Sequence, residues 1–265
     1  VRRYDLNTLK RYSPEQGHRQ VGAAAAFLDA RMALGRCAFS MTDIVAETEL
    51  SAIAARFQLL RLGPKVVRVS PRQPFFLIVG PEHRSLGSPP VSGWLHDYFD
   101  WLGRPYYLAL QSAASLYGSN SQAVQVTQIM TDRAMRPIRV GRTQLHFFVK
   151  RHIDRTPTLQ PEGAVAPIRV STPEATAYDL VRHASVIGGM ERAPETLRPF
   201  ASQLGRRQLR RVLDGEGEVS VVQRLGSVLE AMGKSDLAKV AHEWRPARRE
   251  ARRSPALNNL NGPKP

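Results

Sequence analysis

Apolar positions recur along this chain with two periods. Residues 17–35, "GHRQVGAAAAFLDARMALG", are alanine-rich without internal proline, and Val21, Ala24, Ala25, Leu28 and Met32 share one helical face that Gly35 closes. In "FSMTDIVAETELS", Ser40 or Thr42 is placed to cap a short helix through Val45 and Ala46, and the chain turns near Thr48 to Leu50. "SAIAARFQLLRLG" predicts a third helix, with Ser51 as its N-cap, Ile53, Ala54, Phe57 and Leu60 facing inward, and Gly63-Pro64 as its stop. Two β-rich runs follow, "KVVRVS" and "FFLIVG", and Pro71-Arg72-Gln73-Pro74 between them reads as the turn of a hairpin. Helix, short helix, turn, helix and hairpin over residues 1–80 is the order of a winged helix-turn-helix.

The pattern breaks at "GPEHRSLGSPPVSG", residues 80–93, where Gly, Pro and Ser predict a linker over 81–93. A new core opens with Trp94, Leu95, Tyr98 and Leu102 at helical spacing, and a second helix is expected from about Pro105 to Tyr117, ended by Gly118. "AVQVTQIM", "RPIRV", "QLHFFVKRHI" and "APIRVS" alternate or are β-branched and aromatic, with Gly141-Arg142 as a hairpin turn. The remainder to residue 242 reads as helices. The fold class expected is therefore α+β: an N-terminal winged helix-turn-helix, then a mixed α/β domain over 94–242 with a helical end, then a basic tail over 243–265.

Charge gives this arrangement a direction. The chain carries a net charge of +15. The excess of Lys and Arg is densest at the ends, 12 against 6 acidic residues in 1–80 and 6 against 2 in 243–265, compared with 20 against 15 in 81–242. Such a balance suits a polyanionic partner. On a third helix laid in a major groove, Ser51, Ala55, Arg56 and Gln58 would form the outer face, with Arg56 the best placed to reach bases or phosphates. Lys65, Arg68 and Arg72, on or beside the hairpin, would reach the backbone or the minor groove. "RRQLRR" adds a second candidate positive surface through Arg206, Arg207, Arg210 and Arg211, for which a solvated amphipathic helix is the plainer reading.

Catalytic chemistry is hard to find. A single cysteine, Cys37, excludes an internal disulfide and a thiolate-rich zinc site, and "ALGRCAFSM" is the setting of a small buried hydrophobe. Phosphate-binding loops, zinc-protease pairs, nucleophile elbows and dinucleotide turns are missing, and the seven histidines are scattered. In "IRVSTPEATAYDLVRH" two helix-start readings compete. Ser171 and Glu174 have the spacing of a capping box, while Thr172 can cap with Pro173 at the first helical position. His183 lies about three turns from either hydroxyl on a continuous helix, too far to serve as its base. Thr176, Asp179 and His183 recur at helical spacing as a polar face. No cofactor, no metal site and no enzymatic activity are expected, nor a membrane span or secretion signal, and the location expected is cytoplasmic.

Four stretches carry a family resemblance: "YYLALQSAASLYG" at 106–118, "RPIRVGRTQLHFFVKRHI" at 136–153, "VSTPEATAYDLVRHASVIGG" at 170–189 and "VVQRLGSVLEAMG" at 221–233. In order and spacing they resemble the AbiEi antitoxins of abortive-infection type IV toxin–antitoxin systems. The resemblance implies a bifunctional protein. Its winged helix would bind inverted repeats in double-stranded DNA of its own promoter and repress the operon. Its C-terminal domain would counteract a nucleotidyltransferase-like toxin of the AbiEii type, with or without a stable complex. The alternative from another class is a winged-helix regulator whose C-terminal domain senses a ligand.

Overall fold

The computed structural model describes residues 22–119, 126–164 and 166–246, so Val21 and most of the basic tail lie outside the described residues. The described residues begin with three helices interleaved with a small sheet. α1 (Ala23–Ala33) buries Ala24, Phe27 and Leu28, whereas Met32, expected on that face, is exposed. β1 (Ala38–Ser40) runs into α2 (Met41–Thr48), whose cap is Ser40 and not Thr42. The Ser40 hydroxyl accepts from the Asp43 amide at 3.2 Å while the Asp43 carboxylate accepts from the Ser40 amide at 2.7 Å, a reciprocal capping box. α3 (Ala52–Arg61) begins as expected at Ser51, whose hydroxyl accepts from the Ala54 amide. β2 (Val66–Ser70) and β3 (Gln73–Ile78) form the hairpin, with Ser70 paired to Gln73, so the turn is confined to Pro71-Arg72. β3 also pairs with β1, and the three-stranded antiparallel sheet has the order β1-β3-β2.

α3 corrects the expected orientation. The residues it buries are Ala55 and Leu59, whereas Ile53, Phe57 and Leu60 are 70%, 59% and 75% exposed. Two apolar stripes compete on this helix, and the one with the smaller leading residue is chosen. Ala55 lets α3 approach a layer in which Phe39 stacks on Phe76 at 5.4 Å and meets Phe27 edge-on at 5.2 Å. A ring or branched side chain at that point of contact would hold the helix away.

The second part is built on a six-stranded mixed sheet. α4 (Leu95–Trp101) precedes β4 (Tyr106–Leu108) and α5 (Leu110–Leu116). The expected helix from Pro105 is thus shortened at its start, because Tyr106 and Tyr107 are extended and buried between strands. β5 (Val126–Thr131), β6 (Ile138–Val140), β7 (Thr143–Val149), β8 (Thr158–Leu159) and β9 (Val170–Ser171) complete the sheet in the order β6-β7-β5-β4-β9-β8. β4 with β9 and β5 with β7 are parallel, and the other pairs are antiparallel. α6 (Pro173–Arg182), α7 (Ala193–Leu197), α8 (Arg206–Glu216), α9 (Val219–Ala231) and α10 (Ser235–Glu243) bury their apolar stripes against one another and against Tyr107 and Met130 of the sheet. The chain is a mixed α/β protein.

Residues 81–93, expected as a linker, are packed. Ser88 is buried with its hydroxyl 2.9 Å from that of Thr143, and the Arg142 amide donates to the Leu86 carbonyl at 2.8 Å. Gly141 is required there, since its φ is 58° and a Cβ would stand 2.2 Å from the Leu86 oxygen. One apolar cluster joins Ala38, Val69, Phe75 and Leu77 to Trp94, Leu95, Tyr98, Phe99 and Tyr106, and the Tyr98 hydroxyl donates to Gln73 at 2.6 Å. The hairpin and α4 therefore share a core. Leu77→Ala, at a fully buried position in that cluster, is expected to cost about 2–5 kcal/mol and to lower a single cooperative thermal transition. Circular dichroism and tryptophan fluorescence should report the same midpoint, and two transitions of which one is unmoved would show that the cluster does not couple the parts.

Candidate nucleic-acid interface

The candidate DNA-contacting residues divide into three groups. Arg56 on α3 and Arg68 on β2 line one surface depression of about 390 Å³, floored by Leu59, Val66 and Phe76. The guanidinium of Arg68 lies 5.2 Å from the Phe76 ring centre and donates to the Pro71 carbonyl at 2.9 Å, which holds its charge beside the hairpin turn. Arg72, at the turn itself, lines a different groove with Arg104 and Arg136. Lys65 sits on a third surface, near Asp29 and Arg84, and is not brought to Arg56.

Ser51 and Gln58 have structural partners. Ser51 caps α3. Gln58 is half-buried against α1, where its carbonyl oxygen accepts from the Ala24 amide at 3.0 Å. Ala55, expected on the outer face, is fully buried, and the outward residues around Arg56 are Ile53, Phe57, Leu60 and Arg61. The reason is the rotation of α3 described above. Sequence spacing alone did not favour that stripe, because three large apolar residues read most simply as core.

Arg206, Arg207, Arg210 and Arg211 are all exposed on α8, with Leu209, Val212 and Leu213 buried on the opposite side. Arg210 is paired with Asp214 one turn on, at 2.9 Å. The geometry is that of an amphipathic helix with a cationic outer face.

The junction after β9 resolves the competition between caps. Thr172 is the N-cap of α6, accepting from the Ala175 amide at 3.3 Å, with Pro173 next. The Ser171 hydroxyl is buried, 2.7 Å from that of Thr176 and within bonding distance of the Leu108 carbonyl. Glu174 reaches forward instead of back, and its carboxylate accepts from the Gly205 amide at 2.8 Å, at the start of α8. Cys37 is half-buried, donates to the Gly93 carbonyl, and burial pushes its thiol up to about 11, which keeps it unreactive.

Thr176 and Asp179, expected on a polar face, are fully buried. They belong to a polar seam that sequence reasoning missed. Lys150, at the end of β7, is 2.8 Å from Asp179 and in contact with Glu216 of α8, their side chains being 3%, 0% and 4% exposed. The ammonium also donates to the Tyr107 hydroxyl at 3.0 Å, which in turn donates to Asp179 at 2.8 Å, and Thr156 donates to Glu216 at 3.2 Å. Two carboxylates thus face one ammonium. Burial raises the Glu216 carboxyl above its ordinary range, with Lys150 opposing the shift and Asp179 adding to it. The only legible trace was a lysine inside the strand-like run "HFFVKRH", since its partners are distant in sequence. Burial also lowers His183, whose ring packs on Phe148.

The class defined so far is a mixed α/β chain with a helix–hairpin unit packed on a six-stranded sheet. Residues 107–231 match the family model described as the AbiEi antitoxin C-terminal domain, so the chain carries an AbiEi antitoxin domain. This span includes almost all the residues that bear the sequence resemblance. The domain supports an antitoxin role in a toxin–antitoxin system, and the AbiEi antitoxin family is not a family of enzymes. A crystal structure of the RV2827C protein from Mycobacterium tuberculosis superposes with a TM-score of 0.58 at 18% identity, over 82% of this chain and 81% of that one, and the two share a fold. The solution structure of the antibiotic-resistance factor ANT(2'')-Ia aligns over 56% of this chain and 91% of that one at 14% identity, with a TM-score of 0.31, too low to define a common fold. No curated protein gives a significant match. Among the described residues no helix is long and apolar enough to cross a membrane.

Three stability predictions come from these geometries. Thr172→Ala should cost about 0.5–2 kcal/mol through the lost cap, read as a shift in urea midpoint; an unchanged midpoint would move the cap elsewhere. In the buried seam, Lys150→Met should cost about 3–5 kcal/mol, because it strands two carboxylates. The folded Glu216 holds its proton more firmly than the unfolded chain does, so the native state binds more protons and stability falls as pH rises through the interval from the ordinary to the raised value. Glu216→Gln should flatten that slope in urea titrations at successive pH values, and a slope identical to that of the wild type would contradict the assignment.

Proposed function

We propose that this chain is a DNA-binding antitoxin that represses its own operon and counteracts a nucleotidyltransferase-like toxin. Residues 1–80 act as a winged helix-turn-helix, with α3 as the recognition helix and the β2–β3 hairpin as the wing. Residues 94–242 act as the antitoxin domain, and 81–93 join the two. The observation that carries this reading is the conjunction of an AbiEi antitoxin domain with a helix–hairpin unit whose third helix and hairpin direct Arg56 and Arg68 into one depression. An outward helix with cations beside it suits the major groove, and a hairpin arginine suits the adjoining phosphates. Inverted repeats in the promoter would seat two chains as symmetric half-sites. Repression then requires DNA contact, whereas antitoxicity belongs to a different face of the molecule.

The two activities are separated best by surface substitutions in the full chain, because the shared apolar cluster makes truncation a test of folding as well. Arg56→Ala and Arg68→Ala should each weaken promoter binding by about 1–3 kcal/mol if the side chain makes a bidentate base contact, and by less for a phosphate contact. The double variant should derepress a reporter driven by the operon's promoter while still protecting cells that express the cognate toxin. Wild-type gel-shift affinity in the double variant would remove this face from the proposal. Loss of protection together with repression, at matched soluble protein levels, would show that one surface serves both.

A further inference from the structure

Among the described residues, the apolar stripe on α3 is left exposed. At about 100° per residue, Ile53, Phe57 and Leu60 fall within an arc of about 60°, directly opposite the buried Ala55 and Leu59. Arg56 borders the stripe on the side of the hairpin, and Arg61 borders it on the other. The helix contains two arginines and no acidic residue. Three large, adjacent, well-exposed apolar side chains mark an interaction surface more often than they mark solvated surface.

The arrangement, an apolar ridge between two cationic edges, complements one macromolecular surface closely. A DNA major groove admits an α-helix, is walled on both sides by phosphates, and carries on its floor a single kind of apolar group, the 5-methyl of thymine. We propose that Ile53 and Phe57 read thymine methyl groups in the major groove while Arg56 and Arg61 pair with the flanking strands. The inference rests on the DNA-binding reading above and adds to it the base and the atoms recognised. Specificity at those positions then comes from apolar burial and not from hydrogen bonds, and the arginines supply the affinity that is independent of sequence.

The test uses the full chain. Duplexes are enriched from a randomised library, and in the enriched site each thymine is replaced in turn by uracil, which keeps the base pair and removes only the methyl. Wild-type protein should bind about fourfold more weakly at one or two positions, the change that one buried methyl-sized group corresponds to. Phe57→Ala or Ile53→Ala should become indifferent to uracil at the position its side chain reads, with thermal unfolding unchanged because both side chains are exposed. If every uracil duplex binds wild-type protein equally while Arg56→Ala still weakens binding, the methyl contacts are wrong and the DNA reading survives. If no duplex is enriched and binding shows no salt dependence, the DNA reading fails and the inference with it. If Phe57→Ala instead changes the oligomeric state in sedimentation equilibrium, the stripe seats a second copy of the chain, which also overturns the proposal.

Discussion

The approach of Ala55 and Leu59 to the aromatic layer of Phe27, Phe39 and Phe76 decides what the N-terminal part of this protein shows to the outside. α3 packs on one side and buries one stripe only. By burying the narrow one it turns Ile53, Phe57 and Leu60 outward, places Arg56 and Arg68 along one depression, and leaves Gln58 to accept from the Ala24 amide of α1. The exposed apolar surface is thus a consequence of close packing on the other side. At about 25 cal/mol per Å² of apolar surface left in water, such exposure is unfavourable in the free protein and is recovered only when something covers it. On a helix flanked by arginines, that exposed surface is what the proposed DNA contact would cover.

The second part meets a different constraint, that of enclosing charge. Lys150, Asp179 and Glu216 join β7, α6 and α8 with side chains almost wholly buried, and the hydroxyls of Tyr107 and Thr156 add hydrogen bonds to Asp179 and to one Glu216 oxygen, while Glu216 Oε1 has no hydrogen-bond partner among the described residues. A seam of this kind adds little net stability compared with apolar packing, but it penalises any arrangement in which one partner is missing. Glu174 extends the same logic by supplying the Gly205 amide at the start of α8 with a carboxylate. Neither Ser171 nor Thr172 is poised as a nucleophile, and the hydroxyl-rich junction after β9 is a device for starting a helix and closing the end of a strand.

Much of this was legible in the sequence, for reasons that can be stated residue by residue. Caps and breakers act locally, so Ser51, Gly63-Pro64 and Gly141-Arg142 marked their boundaries directly. The hairpin followed from its β-branched runs, and the antitoxin-domain resemblance from motifs that fall almost wholly within the matched residues. Orientation was less legible. "SAIAARFQLLRLG" holds two apolar stripes, and residue size favours the one that the fold leaves outside. Strand β4 was hidden because Tyr106 and Tyr107 continue an apolar helical pattern, and only pairing with β5 and β9 makes them extended. The glycine- and proline-rich segment 81–93 looked free because its contacts, Ser88 with Thr143 and Leu86 with Arg142, are to residues far along the chain. The Lys150 seam was invisible for the same reason.

In the proposed function, α3 and the hairpin meet duplex DNA in the chain's own promoter. This contact is tested most directly by the affinity of the full chain for a promoter duplex and for a shuffled duplex of the same composition, each measured from about 50 to about 200 mM salt. Binding to the promoter should be tighter throughout, with the logarithm of the association constant falling linearly as the logarithm of salt rises. Equal affinity for the two duplexes, or binding that is absent or insensitive to salt, would contradict the proposed contact.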